Sequence, residues 1–553
     1  MDNKSTPNIA SYLSQRAKQI PYSAAVVYPD HRSKAGQVSY IHYTYAQLDQ
    51  ESDHLAATLH KNGVECGQRT VVMVKPGLDF FAITFALFKL GAIPVLIDPG
   101  MGIKNIKRCL EQAKPQVFIG ISKAQLARKL LSWGKGSLQK IFTTASVCFP
   151  DCQSLPKLKQ QSGSKLSFTT HQPSNDEIAA ILFTSGSTGT PKGAIYTHAN
   201  FNAQINALQR LYNIQVGEID LCTFPLFALF APALGMTAII PDMDATKPAQ
   251  VNPQRIFEAI ENFGVTNMFG SPALLRRVAN FGTTQQLKLP TLKRVISAGA
   301  PVPAAVLEQF SSMLNDKTPI YTPYGATEAL PVCSIDSNTI LNHTRYLTDS
   351  GQGICVGCPV DGADVRIISI DDNAIDIWDD NLCVDNGIIG EICVKGEQVT
   401  RGYFDLDAAT ELAKIPCFDG FYHRMGDLGY CDNDGKIWFC GRKTQRVQTT
   451  QETMFTIPCE AVFNTHPKVY RTALVGIGKP GNQQPILCVE LLNKQDLKNS
   501  ATIAKELRII QEKYPHTKSI VEILFHPSFP VDIRHNAKIF REKLAVWAGK
   551  KLS

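Results

Sequence analysis

The sequence predicts an α/β protein. It has a large amino-terminal part of αβ-layered sheets, a small β-rich subdomain after it, and a compact α+β unit at the carboxyl end. Three observations predict this. Strand-like and helix-like runs alternate through the first half, the pattern of parallel sheets with covering helices. After about Gly351 the texture turns to short strands with turn signals between them. Beyond Gly441 the pattern is that of a second, smaller unit. At 553 residues the chain is too long for one core, so two to four domains or subdomains are expected.

The elements follow in order. Residues 69–74 read as a strand, 79–90 as a helix and 94–97 as a strand. Residues 80–98 form an apolar stretch, but Lys89, Gly91 and Pro94 break it, so it is not a membrane span. Ile181-Leu182-Phe183 and Ala194-Ile195-Tyr196 read as strands flanking a glycine-rich loop. Residues 224–241 are uncharged but interrupted by Pro225, Pro232 and Gly235, which favours core or substrate-pocket packing. Residues 253–263 place Ile256, Phe257, Ile260 and Phe263 on one helical face. A strand over 265–269, a helix opened by Ser271-Pro272 and a strand over 292–297 come next. Short strands over 365–370, 389–394 and 436–440 make the β-rich part, with Gly435 after Asp434 as a hairpin turn signal. A helix over 502–514 lines up Ile503, Leu507, Ile510 and Tyr514. The predicted boundaries are 1–441 for the amino-terminal domain, with the β-rich subdomain at about 351–440, and 442–553 for the carboxy-terminal domain.

Composition excludes several function classes. Hydrophobic residues make up 44% and charged residues 19%, as in an ordinary globular protein. The net charge of +7 is spread along the chain, without an arginine-rich arm or zinc-finger spacing, so a nucleic-acid role is not expected. The 15 cysteines are scattered. Cys355 and Cys358 form a Cys-x-x-Cys with no second pair, which argues against zinc there. The polar start, Met1 to Ile9, shows no signal peptide, so reduced thiols and a cytoplasmic location are expected. Gly476, Gly478 and Gly481 match Gly-x-Gly-x-x-Gly, but a strand rather than a helix follows, so the match is a turn and not a dinucleotide site.

The run Thr184-Ser185-Gly186-Ser187-Thr188-Gly189-Thr190-Pro191-Lys192-Gly193 carries the most chemistry. Glycines, hydroxyls and one lysine between two strands can turn many donors toward a single anion, as polyphosphate binding requires. No Gly-Lys-Ser/Thr opens a helix after it, so it is not a Walker loop.

This loop, followed by Tyr324-Gly325-Ala326-Thr327-Glu328, Gly426-Asp427-Leu428-Gly429 and Gly441-Arg442, resembles the adenylate-forming superfamily of acyl-CoA synthetases, luciferases and peptide-synthetase adenylation domains. The resemblance spans residues 8–547 and implies a mobile carboxy-terminal domain. It also implies that a carboxylate attacks the α-phosphorus of ATP and pyrophosphate leaves, so donors and cations must meet the growing charge. By resemblance, Thr184, Ser185, Gly186, Ser187, Thr188, Gly189 and Lys192 hold the β- and γ-phosphates. Thr327 meets the α-phosphate and Glu328 ligates Mg²⁺. Gly299-Ala300-Pro301 forms the adenine turn with Tyr324 stacked on the base, and Asp427 binds the ribose, aided by Arg442. Lys538 bridges carboxylate and phosphate, and the hinge falls at Lys443 and Thr444.

Departures narrow the reading. Ala228 stands where many acyl-CoA ligases have His, and Ala537 precedes Lys538 where the family has Gly. The segment Thr450-Gln451-Glu452-Thr453-Met454 lacks the glycine that lets backbone approach a pantetheine arm, so CoA as a second substrate is left open. The stretches 224–230, 241–244, 455–460 and 533–544 are similar to the OleC-type β-lactone synthetases of olefin synthesis, often labelled fatty-acyl-CoA ligases. That resemblance implies adenylation of a 2-alkyl-3-hydroxy fatty acid, whose 3-hydroxyl displaces AMP to close a β-lactone. Phe227, Ala228 and Phe230 would line the acyl pocket. The residues do not identify the base for ring closure; His198 and His423 are candidates. A long-chain fatty-acyl-CoA ligase is the alternative, and a non-catalytic nucleotide-binding scaffold a further one. The lipid substrate leaves room for olefin-pathway partner enzymes and peripheral membrane association, without a transmembrane segment.

Overall fold

The computed structural model describes residues 7–163, 166–184, 190–531 and 539–552, with Thr184 described by its backbone. Two large sheets build the amino-terminal part. The seven-stranded one runs in the order Gln153–Ser154, Lys140–Thr143, Val117–Gly120, Arg69–Met73, Ile93–Leu96, Ile178–Thr184, Lys192–Thr197. Its pairs are parallel until the last, where Ile178–Thr184 and Lys192–Thr197 form an antiparallel hairpin.

The larger sheet changes character along its length. Strands Ile219–Cys222, Asn267–Phe269, Arg294–Ile296 and Ile320–Ala326 pair in parallel, as the alternating pattern predicts. At Ile320–Ala326 the chain folds back on Ala329–Asp336, and every further pair, out to Gly390–Lys395 and Asp364–Ile368, is antiparallel. The antiparallel texture thus begins at Ala329, before the predicted 351. The reason is local: a two-residue turn at Thr327–Glu328 can join only antiparallel strands, whereas a parallel return needs a crossover.

Between the two sheets lies the helix Leu78–Leu90, in which nearly every side chain is buried. Phe81 and Phe85 alone each contribute roughly 1.5–3 kcal/mol of apolar burial. Lys89, at 0% exposure, is held by Asp49 at 2.7 Å and Asp53 at 2.6 Å, so the charge that interrupts the apolar run is paired inside the core. Gly91 ends the helix in the left-handed region at φ 74°, as a glycine C-cap does. The second apolar stretch becomes two short helices, Pro225–Ala228 and Phe230–Leu234, then the strand Thr237–Ile239. Among the described residues no helix is long and apolar enough to cross a membrane.

The carboxyl end has its own three-stranded sheet, Val469–Ile477, Gln484–Leu491 and Glu522–Phe525. Its helices Thr456–Asn464, Ser500–Lys513 and Arg541–Leu552 pack on it, with Ile503 and Leu507 buried. The Gly476–Gly481 match is the turn of its first hairpin, with Gly478 and Gly481 at positive φ and a strand following.

Candidate active site

The predicted phosphate loop runs between two antiparallel strands whose last described pair is Thr184 opposite Lys192. Ser185, Gly186, Ser187, Thr188 and Gly189 lie outside the described residues. The hairpin stem is held from outside by the segment 402–404: Ile195 N–H donates to Gly402 O at 3.0 Å, and Phe404 N–H to Gly193 O at 2.8 Å. The Lys192 ammonium then lies 4.9 Å from the centre of the Tyr403 ring.

Tyr403 ties this cation to the next element. Its hydroxyl donates to Glu328 Oε1 at 2.8 Å. Thr327 and Glu328 form the tight turn between paired Ala326 and Ala329. The Tyr196 hydroxyl donates to Thr327 O at 2.5 Å, and Thr400 N–H to Glu328 O at 2.8 Å. Gly325 is needed here, because a Cβ would lie 2.6 Å from Ala329 O. Behind the turn sits Lys414, buried, donating to Thr400 O and paired across the strands with His423. Burial pushes its ammonium down to about 7, with Glu328 opposing the shift.

Tyr324 runs toward a third group. Its hydroxyl donates to Asp427 Oδ2 at 2.8 Å. Asp427 lies directly opposite Arg442 on paired strands, with Nη1 2.9 Å from Oδ1. That approach lacks hydrogen-bond alignment, so the buried Oδ1 has a neighbouring charge but no donor among the described residues. Burial raises the Asp427 carboxyl, and the Arg442 charge opposes this. The turn Gly299-Ala300-Pro301 follows the parallel strand Arg294–Ile296, at the strand end where ligands bind in α/β sheets, with Gly299 at φ 95°.

The aromatic segment divides its side chains. Phe227 packs edge-on against Phe269 at 4.8 Å and Phe224 at 5.2 Å. Phe230 approaches Phe201 at 6.2 Å, while the Ala228 methyl is buried in the core. At the predicted hinge position, Lys443 Nζ pairs with Glu391 at 3.0 Å and donates to Asp371 O at 2.8 Å, whereas Thr444 is exposed. Lys538 lies outside the described residues. The described residues on either side of it are joined by the bridge Val531↔Ile539, and Arg541 grips Glu460 with two bonds of 2.7 and 2.8 Å.

Each of the two candidate bases meets backbone through its Nδ1. His198 is buried, its Nδ1 accepts the Ile9 N–H at 3.1 Å, and burial pushes it down to about 4. His423 is buried, its Nδ1 lies 3.1 Å from Ala413 O, and burial followed by the Lys414 charge lowers it further below its usual value. Sequence reasoning missed Tyr196, Thr400, Tyr403 and Lys414. Their signal is pairing across long sequence distances, which neither period nor spacing reveals.

Residues 13–404 match the family model described as AMP-binding enzyme. The chain is 47% identical, over 98% of both chains, to an olefin beta-lactone synthetase of Xanthomonas campestris pv. campestris. It is 46% identical to an olefin beta-lactone synthetase of Stenotrophomonas maltophilia, over 99% of this chain and 98% of that one. A solved structure of an amide bond synthetase from Marinactinospora thermotolerans superposes with a TM-score of 0.77, covering 98% of this chain and 99% of the other at 20% identity.

Proposed function

The chain belongs to the AMP-binding enzyme family, and we propose that it converts a long-chain 2-alkyl-3-hydroxy acid to a β-lactone at the expense of ATP. It is an AMP-forming synthetase. The full-length likeness to olefin beta-lactone synthetases carries this reading. The acid's carboxylate displaces pyrophosphate from the α-phosphorus and becomes an acyl-adenylate. The substrate's 3-hydroxyl oxygen then bonds to the acyl carbon, its proton passes to a base, and the bond to AMP breaks.

The site's residues suit the first half. Lys192 and the hydroxyls of its loop would meet the β- and γ-phosphates, and Thr327 the α-phosphate. The Asp427 oxygen without a donor among the described residues suits a ribose hydroxyl, with Arg442 beside it and the Tyr324 ring and Gly299–Pro301 turn against adenine. Glu328 offers a single carboxylate already steadied by Tyr403, which fits Mg²⁺, an ion that takes one or two carboxylates plus substrate phosphates. Bound there, Mg²⁺ supplies charge against the departing pyrophosphate. Phe227 and Phe230 would border the acyl chain, Lys538 would bridge carboxylate and phosphate, and the chain would turn at Lys443–Thr444.

The hairpin at Thr449–Met454 supports a reaction without CoA. Thr449 Oγ1 accepts from Gln451 N–H at 3.1 Å and Glu452 N–H at 3.0 Å, closing a turn with a side chain at every position. Incubation with ATP, Mg²⁺ and a 2-alkyl-3-hydroxy acid, with and without CoA, tests the proposal. AMP and lactone are expected without CoA. Strict dependence on CoA with a thioester product would overturn it in favour of an acyl-CoA ligase.

A further inference from the structure

A second cluster of chemically active side chains lies far from the adenylate site. Glu177 precedes the strand Ile178–Thr184, at the end opposite the phosphate hairpin. Its Oε1 is 2.6 Å from His171 Nε2. Cys66 Sγ, from the loop between the helix Tyr45–Lys61 and the strand Arg69–Met73, lies 3.7 Å from that nitrogen and 3.8 Å from that oxygen. All three ligand atoms fall within 4.8 Å of one another.

The surrounding backbone holds the three together. His171 N–H donates to Lys89 O at 2.8 Å, and Gly67 N–H to Gly91 O at 2.9 Å. Both segments therefore converge on Gly91, which sits at φ 74°. A Cβ there would lie 2.7 Å from His171 Cδ2 and 2.8 Å from Cys66 Sγ, so the glycine makes room for both. Ser174 N–H donates to Glu177 Oε2 at 3.3 Å, leaving Oε1 turned toward the other two.

We propose that Cys66, His171 and Glu177 form a Zn²⁺ site of three protein ligands with the fourth position open to solvent. The donor set of thiolate, imidazole and carboxylate matches Zn²⁺ and disfavours Mg²⁺ and Ca²⁺. Tetrahedral bonds of usual length set neighbouring ligand atoms roughly 3.3–3.7 Å apart. The sulfur distances of 3.7 and 3.8 Å lie at the upper end of that range and just beyond it, and the His171–Glu177 pair must open by under about 1 Å. On binding, the Cys66 proton goes to solvent and His171 carries its single proton on Nδ1. Bonds form to Sγ, Nε2 and Oε1 as the His171–Glu177 hydrogen bond breaks. The ion ties two loops to the strand that carries the phosphate hairpin, so it acts as a staple.

Metal-stripped full-length protein titrated with Co²⁺ tests this. A near-ultraviolet thiolate-to-metal band with tetrahedral visible bands is expected, displaced by one equivalent of Zn²⁺. Cys66→Ser abolishes the band, His171→Asn and Glu177→Gln weaken binding at least roughly tenfold, and the double variant Cys355→Ser, Cys358→Ser retains it. Pyrophosphate exchange by metal-stripped Cys66→Ser protein, assayed with ATP and Mg²⁺, stays at the wild-type level and reports folding. No thiolate band in the wild type, or its persistence in Cys66→Ser, overturns the site in favour of a His–Glu pair beside an ordinary thiol. If Cys66→Ser fails to fold, undiminished Co²⁺ affinity in Glu177→Gln does the same.

Discussion

At Asp427 one carboxylate oxygen takes the Tyr324 hydroxyl and the other has no hydrogen-bond donor among the described residues, although it is buried beside Arg442. A buried acceptor left so is costly unless a ligand completes it. Asp427→Asn is therefore expected to lower kcat/KM for ATP by roughly 10- to 100-fold, the worth of a charged hydrogen bond. Pyrophosphate exchange measures it, and an unchanged KM for ATP would count against the ribose assignment. Lys414 makes a second residue-scale case. Its ammonium is pushed from 10.5 down to about 7, so between those values the unfolded chain holds a proton that the folded chain does not. Stability should rise with pH across that window, by an amount on the order of 5 kcal/mol for this group. Lys414→Met removes the contribution: the thermal midpoint should climb less from pH 7 to pH 9 than in the wild type. Equal slopes would show that Lys414 keeps its proton in the fold.

The element on which catalysis should turn is the hairpin carrying Thr327 and Glu328. Gly325 lets its strands close, and an added Cβ would press on Ala329 O at 2.6 Å and Leu330 Cδ1 at 2.8 Å. Gly325→Ala is expected to cost about 1–3 kcal/mol of stability and to shift Glu328 away from Tyr403. Adenylation should fall more than tenfold, a loss that Tyr403→Phe should share in part without the stability change. This turn also marks the limit of what is legible in the sequence. The helix over 253–263 and the hairpin at Gly435 agree with the structure because period and turn chemistry are local. The motif residues were legible through resemblance. The clamp on Glu328 was not, because Thr400 and Tyr403 lie more than seventy positions away and Lys414 sits in no periodic pattern. Cys66 and His171 meet for the same reason: both lie against Gly91, whose position comes from folding rather than spacing.

On the scale of the whole molecule, the parallel and antiparallel halves of the large sheet share one continuous ladder, so groups in one half are rigidly referenced to the other. Glu391 exploits this continuity. It lies on the strand Gly390–Lys395 with Arg424 at 2.6 Å on the neighbouring strand and Lys443 at 3.0 Å, where the chain leaves the sheet for the carboxyl end. Glu391 and Arg424 are each about 1% exposed, so water cannot replace a lost partner. One carboxylate thus balances a sheet cation and the cation at the proposed hinge. Just beyond, Arg446 pairs with Asp372 at 2.5 Å and donates to Lys443 O at 2.7 Å, repeating the link at the next turn. Glu391→Gln leaves two cations facing a neutral amide in the interior. A loss of about 3–5 kcal/mol is expected, the cost of breaking one side of a buried pair. Lys443→Met should cost less, because Arg424 keeps its counter-charge. The two variants also separate two roles for Lys443. If it only neutralises Glu391, Lys443→Met lowers the melting temperature slightly and leaves pyrophosphate exchange intact. If it fixes the exit angle of the carboxyl end, exchange falls while the melting temperature barely moves.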